Sequence, residues 1–275
     1  MKATPHAWNR DFRWQPAKGP FRLISAAQAR SWDERGFFVL EDAFDAATVA
    51  RLVAEIDPFE AKVEAFLRTR PDGKLSIARA DEITFTTHLV ARSEVLRAFA
   101  RDPVFSDLAH DLIGPDVRLY WDQAVYKKPG AQAPFPWHQD NGYTFVEPQA
   151  YLTCWIALTD ATEANGCPRV VPGLHRGGTL AHEASDLGFV CFDTPPGEPV
   201  AAPVRAGGMV VFSSLTPHAT GPNTTAETRR AYILQYAPDG ASTLRTGEGG
   251  AITRELCAAP ERQYLVLRDG RPTES

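Results

Sequence analysis

The chain has 275 residues, with 44% hydrophobic and 23% charged content, the composition of an ordinary globular protein. A formal charge of −5 argues against a nucleic-acid or anionic-membrane binder, which normally carries a basic patch, and no apolar run reaches the length of a membrane span. The first sixteen residues carry no apolar h-region, and the four cysteines (Cys154, Cys167, Cys191, Cys257) have no CxxC spacing, so a cytoplasmic protein without disulfides or zinc is expected.

Residues 1–24, with Trp8, Phe12 and Trp14, read as an irregular arm packed on the body. Ser25 caps a helix that Gly36 stops, and Phe37 to Leu40 is a short strand. Asp45 caps a helix whose Val49, Leu52, Val53 and Ile56 recur at helical spacing, with a break or kink expected at Pro58. Residues 75–80 and 83–91 are strand-like, Ser93 starts a helix, and another runs from Pro103 to a stop at Gly114-Pro115. Strands follow at 117–128, 151–161, 204–215 and 229–238, with a strand-like 264–267 near the end. Asn165-Gly166 is a hairpin signal between 151–161 and the segment 168–175.

Helices thus gather in residues 25–115 and short strands in 116–240, with a C-terminal extension over 241–275. The pattern predicts one α+β domain over 1–275, with a jelly-roll or barrel core buttressed by N-terminal helices.

The chemistry concentrates at Trp137-His138-Gln139-Asp140. On an extended segment His138 and Asp140 point to one face. An imidazole nitrogen and a carboxylate oxygen can then reach one metal ion. His218, 80 residues downstream in a Pro- and Gly-flanked loop, is the candidate second histidine. Two histidines and one carboxylate on one face of an octahedron mark a non-haem Fe(II) oxygenase. Taken alone, an HxD pair also arises by chance. His6, His88, His110, His175 and His182 read as structural or surface residues. Phe135, Trp137, Tyr143 and Phe145 crowd the loop and either wall a cavity or pack the sheet. Arg79, Thr84 and Thr86 lie on strands that could rim a cavity mouth, with a surface role expected for Arg79. The pair Lys127-Lys128 reads as solvated.

The segments WHQDNGY, WIALTDATEANGCPRVVPGLH and PHATGPN followed by RRAYILQY occur in this order. Together with the preceding helices, over roughly residues 30 to 240, they resemble the phytanoyl-CoA dioxygenase family of Fe(II)/2-oxoglutarate oxygenases. The resemblance implies a double-stranded β-helix holding iron through His138, Asp140 and His218, with 2-oxoglutarate chelating the metal and O2 as co-substrate. The far carboxylate of 2-oxoglutarate needs a cation, and arginine meets it bidentately. Arg229 and Arg230 compete for this role, and periodicity does not choose; the family's spacing of 11 residues after His218 favours Arg229. By the same resemblance Gln123 and Trp155 line the 2-oxoglutarate pocket, and Thr220 could bond the same ligand, although a core indole and a turn hydroxyl explain Trp155 and Thr220 equally well. Asp140 argues against halogenation, because the halogenases of this class replace that carboxylate with a small residue.

The expected reaction is oxidation of a C–H bond, chiefly hydroxylation, in a small or medium organic molecule, with release of succinate and CO2. Nucleic acid and membrane are not expected partners, and a monomer or homodimer is. Two alternatives remain at this point: a metal-dependent cupin enzyme that does not use 2-oxoglutarate, and a binding module on the same fold.

Overall fold

In the computed structural model, which describes residues 1–273, Ser25 caps the helix Ala26–Arg35 in a reciprocal capping box with Gln28. Gly36 ends it in the left-handed conformation at φ 82°. A Cβ there would fall 2.5 Å from the Thr216 hydroxyl, so close approach also demands glycine. Residues Ala46–Arg68 form one helix that continues through Pro58, against the expected break. Its buried stripe, from Val49, Leu52 and Ile56 to Glu60, Glu64 and Leu67, runs on both sides of the proline. Glu60 accepts from the Thr84 hydroxyl at 2.9 Å, pinning the second half to the neighbouring strand.

The large sheet is antiparallel throughout. Its strands lie in the order Phe37–Leu40, Met209–Ser213, Leu152–Ala157, Arg229–Pro238, Val117–Lys127 and Ile83–Thr87, followed by the short pair Ala78–Arg79 and Lys74–Leu75. Leu265–Arg268 adds to Val117–Lys127. A second sheet runs Val200–Ala201, Pro168–Val170, His218–Thr220, Phe135–His138. Two sheets of this kind, with distant segments side by side, form the jelly-roll core.

The helices cover one face of the large sheet. Trp32, Leu52, Ile56, Leu96 and Phe105 share a core with Tyr232, Leu234 and Tyr236. The alternate residues of the same strand, Ala231 and Ile233, face the second sheet with Trp155, Val170, Val210 and Phe212. Arg229–Pro238 is therefore buried on both faces, as a central strand must be.

Three local expectations need correction. The strand-like run 83–91 ends at Thr87; His88 turns left-handed at φ 56°, and Leu89 and Val90 donate their backbone N–H groups to Asp122 at 2.7 and 3.2 Å. The segment 75–80 is only a two-residue hairpin pair. Asn165-Gly166 makes no hairpin, because the strands on either side belong to different sheets. Instead Asn165 closes a capping box with Thr162, and Gly166 ends that short turn at φ 80°. Of the expected 241–275 extension, Glu274 and Ser275 lie outside the described residues. All four cysteines are buried and free. Among the described residues no helix is long and apolar enough to cross a membrane.

Candidate metal centre and its cavity

His138 closes the strand Phe135–His138, and Asp140 opens the one-turn helix Asp140–Tyr143. Gln139 between them is extended, at φ −106° and ψ 144°, so the flanking side chains share a face. His218 begins the neighbouring strand and pairs directly with His138 in the antiparallel ladder. One ligand atom from each of His138, Asp140 and His218 lies within 4.8 Å of the others, and His218 Nε2 is 3.7 Å from Asp140 Oδ1.

The groups behind these side chains fix their direction. His138 Nδ1 lies 2.8 Å from the Pro136 carbonyl and His218 Nδ1 3.0 Å from that of Thr216. Donation to these carbonyls leaves both Nε2 atoms as free lone pairs. Burial, with His218 adding to it, holds His138 well below the usual histidine range, so it stays neutral and able to ligate. The Thr153 hydroxyl donates to Asp140 Oδ2 at 2.6 Å, leaving Oδ1 to face the histidines.

Gln139 points the other way and is fully buried. Its amide donates to the Gly178 and Leu215 carbonyls, and its carbonyl oxygen accepts from Leu180 N–H at 2.6 Å. Its backbone N–H donates to His182 Nε2 at 2.9 Å. His182 is thus a half-buried brace of the loop that carries His138 and Asp140. Gly142 makes room for it, since a Cβ there would lie 2.0 Å from the imidazole. Neither residue stood out in the sequence, where no pattern marks a histidine that accepts from a loop amide.

The triad opens on a cavity of about 270 Å³. Gln123, Trp155, Thr220 and Arg229 all line it, together with Phe135 and Tyr143. Arg229 is buried and donates through Nη1 to the Gly166 carbonyl at 2.6 Å, with its guanidinium 5.2 Å from the Trp155 ring centre. Burial lowers its pKa to about 10. Its Nε and the Thr220 hydroxyl are buried without a protein partner. Arg230 leaves the opposite face and meets Asp57 at 3.6 Å.

Other expected residues lie elsewhere. Trp137 packs on Phe192, and Phe145 packs on His6 and Trp8. Thr84 and Thr86 are buried on the face away from the cavity, where alternation with Ile83 and Phe85 puts them. Arg79 is buried, not at the surface, and donates to the Asp186 carbonyl at 2.7 Å. His88 packs edge-on against Trp121 at 4.4 Å, but its Nδ1 has no partner.

Lys127 and Lys128 are not a solvated pair. Lys127 is fully buried beside Arg229 in the ladder and donates to the Gly221 carbonyl, while Lys128 pairs with Glu60. Desolvation, reinforced by Arg229, depresses the Lys127 pKa to about 7. The alternation Gln123, Val125, Lys127 along one strand face was the available signal for its burial.

Comparison with known proteins agrees with this geometry. The phytanoyl-CoA dioxygenase (PhyH) family matches residues 32–231. The chain is 26% identical over 238 residues to a probable alpha-ketoglutarate-dependent hypophosphite dioxygenase of Stutzerimonas stutzeri, covering 77% of this chain and 78% of that protein. It is 29% identical over 218 residues to the methylphosphonate hydroxylase of Gimesia maris, covering 78% and 80%. The crystal structure of the non-heme alpha ketoglutarate dependent carbocyclase SnoK from nogalamycin biosynthesis superposes with a TM-score of 0.69 at 27% identity, covering 82% of this chain and 88% of that one. With two histidines and a carboxylate converging on a cavity that ends in a buried arginine, the chain belongs to the phytanoyl-CoA dioxygenase family and is a non-haem, 2-oxoglutarate-dependent dioxygenase that uses Fe(II) and O2.

Proposed function

We propose that this dioxygenase hydroxylates a C–H bond of a small or medium organic molecule, releasing succinate and CO2, with His138, Asp140 and His218 as the iron ligands and Arg229 as the anchor of 2-oxoglutarate. The observation that carries the reading is the pairing of a metal-ready triad with two unsatisfied polar groups in one cavity, Arg229 Nε and Thr220 Oγ1. A buried guanidinium with an unused N–H is costly unless a ligand completes it. A carboxylate accepting from Arg229 and Thr220 would do so. Trp155 supports the guanidinium from its face, and Gln123, whose Oε1 accepts from Trp121 Nε1 at 3.2 Å, keeps its amide donors for the ligand.

Iron, when bound, supplies the redox chemistry that splits O2 and decarboxylates the co-substrate. The chain's own residues bind, orient and exclude water. Thr153 holds the Asp140 carboxylate, and the Pro136 and Thr216 carbonyls hold the two imidazoles. As an iron ligand, Asp140 would take the position that a halide would need, which favours hydroxylation over halogenation. We further read residues 1–275 as one oxygenase domain that acts in the cytoplasm as a monomer or homodimer. Four free, buried thiols support a reducing compartment.

The test is anaerobic titration of Fe(II) and then 2-oxoglutarate into the purified protein, followed by visible absorption. Bidentate chelation gives a weak charge-transfer band. The band should vanish in His218→Ala and need far more 2-oxoglutarate in Arg229→Ala. Metal binding without any band would remove 2-oxoglutarate chelation at this site from the reading.

A further inference from the structure

The cavity is chemically lopsided along its length. Arg229 lies at one end of its strand, paired with Lys127. Gln235 is six positions along the same strand, roughly 20 Å away at the usual rise, and lines the other end beside Trp121 and Thr153. Asp140 is tied to this second end through Thr153, with Ile233 and Trp155 between it and Arg229. A co-substrate reaching from the metal to Arg229 therefore leaves the Gln235 end free.

That free end is built by a β-bulge. The ladder steps from Gln235↔Trp121 to Tyr236↔Leu119, so Tyr120 has no partner. The extra residue reverses the alternation. Leu119 joins the helix-side core, and Tyr120 and Trp121, adjacent in sequence, both line the cavity. Tyr151 meets Tyr120 edge-to-face at 5.0 Å, and the His88 ring backs Trp121. Among the described residues, Arg229 is the only cation lining the cavity and Asp140 the only carboxylate. Arg245 and Arg262 approach Tyr120 from outside the lining, where Glu255 and Glu261 pair with them. An anionic substrate at this end would leave water with no cation in the lining to meet it and would sit near Asp140. Flat apolar rings would meet aromatic walls with matching geometry.

We propose that the reacting part of the substrate is a neutral, ring-containing, largely apolar group held against Tyr120, Trp121 and Tyr151, and not a phosphonate, phosphate ester or carboxylate. The inference rests on 2-oxoglutarate occupying the Arg229 end.

Calorimetric titration under argon tests it, using protein first loaded with Fe(II) and 2-oxoglutarate. The probes are 1-naphthol, 1-naphthyl phosphate and methylphosphonate. The naphthol should bind at least about 10-fold more tightly than either phosphorus anion, a gap of about 1.4 kcal/mol. Tyr120→Leu should weaken naphthol binding by about 10-fold, the scale of a lost aromatic contact plus its burial, and leave 2-oxoglutarate affinity unchanged. Tyr151→Leu, which removes the ring packed against Tyr120, is the second variant if Tyr120→Leu does not fold. Equal or tighter binding of either anion, absence of naphthol binding to the loaded protein, or an unaltered naphthol affinity in the folded variant would overturn the proposal. Loading is itself measured: failure to take up 2-oxoglutarate would defeat the functional reading, whereas normal uptake with no preference for the neutral ring defeats this inference alone.

Discussion

His138 and His218 face each other in register across two antiparallel strands, with ring centres 4.1 Å apart. The two imidazoles come from segments 80 residues apart, yet the strand pairing that joins them also sets their spacing. Each spends Nδ1 on a carbonyl two residues earlier in its own chain segment. The convergence of the two imidazoles is thus a property of backbone pairing more than of side-chain packing.

Among the described residues, the Asp140 carboxylate is aimed by one side-chain hydroxyl, that of Thr153. Thr153→Val keeps the shape and removes the bond. Fe(II) affinity should fall by about 10- to 100-fold, the usual scale for groups that orient a ligand. Competition against a chromophoric chelator measures this. An unchanged affinity would mean that Asp140 is held by the loop alone.

Arg229 and Arg230 are adjacent but lie on opposite faces of one strand. Arg229→Ala should raise KM for 2-oxoglutarate by about 100-fold or more, the scale of losing one partner of a buried charge pair. Arg230→Ala should change it by less than about 2-fold, because its half-exposed guanidinium meets Asp57 outside the cavity. Succinate formation at varied 2-oxoglutarate gives both constants.

Lys127 predicts an unusual pH dependence of stability. Its folded pKa of about 7 lies below the ordinary 10.5 of the unfolded chain. The unfolded state then binds more protons between these values, so this group's penalty is full below about pH 7 and fades as pH rises towards 10.5. Lys127→Met should therefore stabilise the metal-free protein at neutral pH by about 1–3 kcal/mol, with the gain shrinking at pH 9–10. Urea melts across pH 6 to 10 check this, and a gain that grew with pH would contradict the burial argument.

Gly142→Ala places a methyl carbon inside the van der Waals radius of the His182 ring. His182 must move, and the Gln139 backbone N–H loses its acceptor. A cost of about 2–4 kcal/mol is expected from the clash and the orphaned amide. A drop in Tm of the metal-free protein reports it, and His182→Ala in the same background should restore part of the loss by removing the clash.

The sequence made much of this centre legible because its signals are local or ordered. A histidine and an aspartate two apart need only an extended backbone, and Gln139 provides it. Periodicity could not separate Arg229 from Arg230, because the strand is buried on both faces and carries Tyr232 and Leu234 on one side against Ala231 and Ile233 on the other. Lys127 was misread for a related reason: two adjacent lysines look like surface, but alternation sends one of them inward. The bulge at Tyr120 left no mark in the sequence, since nothing in VRLYWDQ distinguishes a continuous ladder from one with an extra residue. The continuous helix through Pro58 shows the opposite case, where a strong local breaker yielded to a long buried stripe.

The division of labour around Gln139 has a bearing on redesign. The loop that carries both of its neighbours is fastened by Gln139 to Gly178, Leu180 and Leu215, on the side away from the metal. Its position therefore does not depend on the carboxylate of Asp140. With the proposed ligand set, a shortened residue at 140 would empty one coordination position while the scaffold that presents the two imidazoles stays fastened. The fold offers an engineer a centre whose ligand set can be edited separately from its architecture, and Gln139 is the residue such a programme should leave untouched.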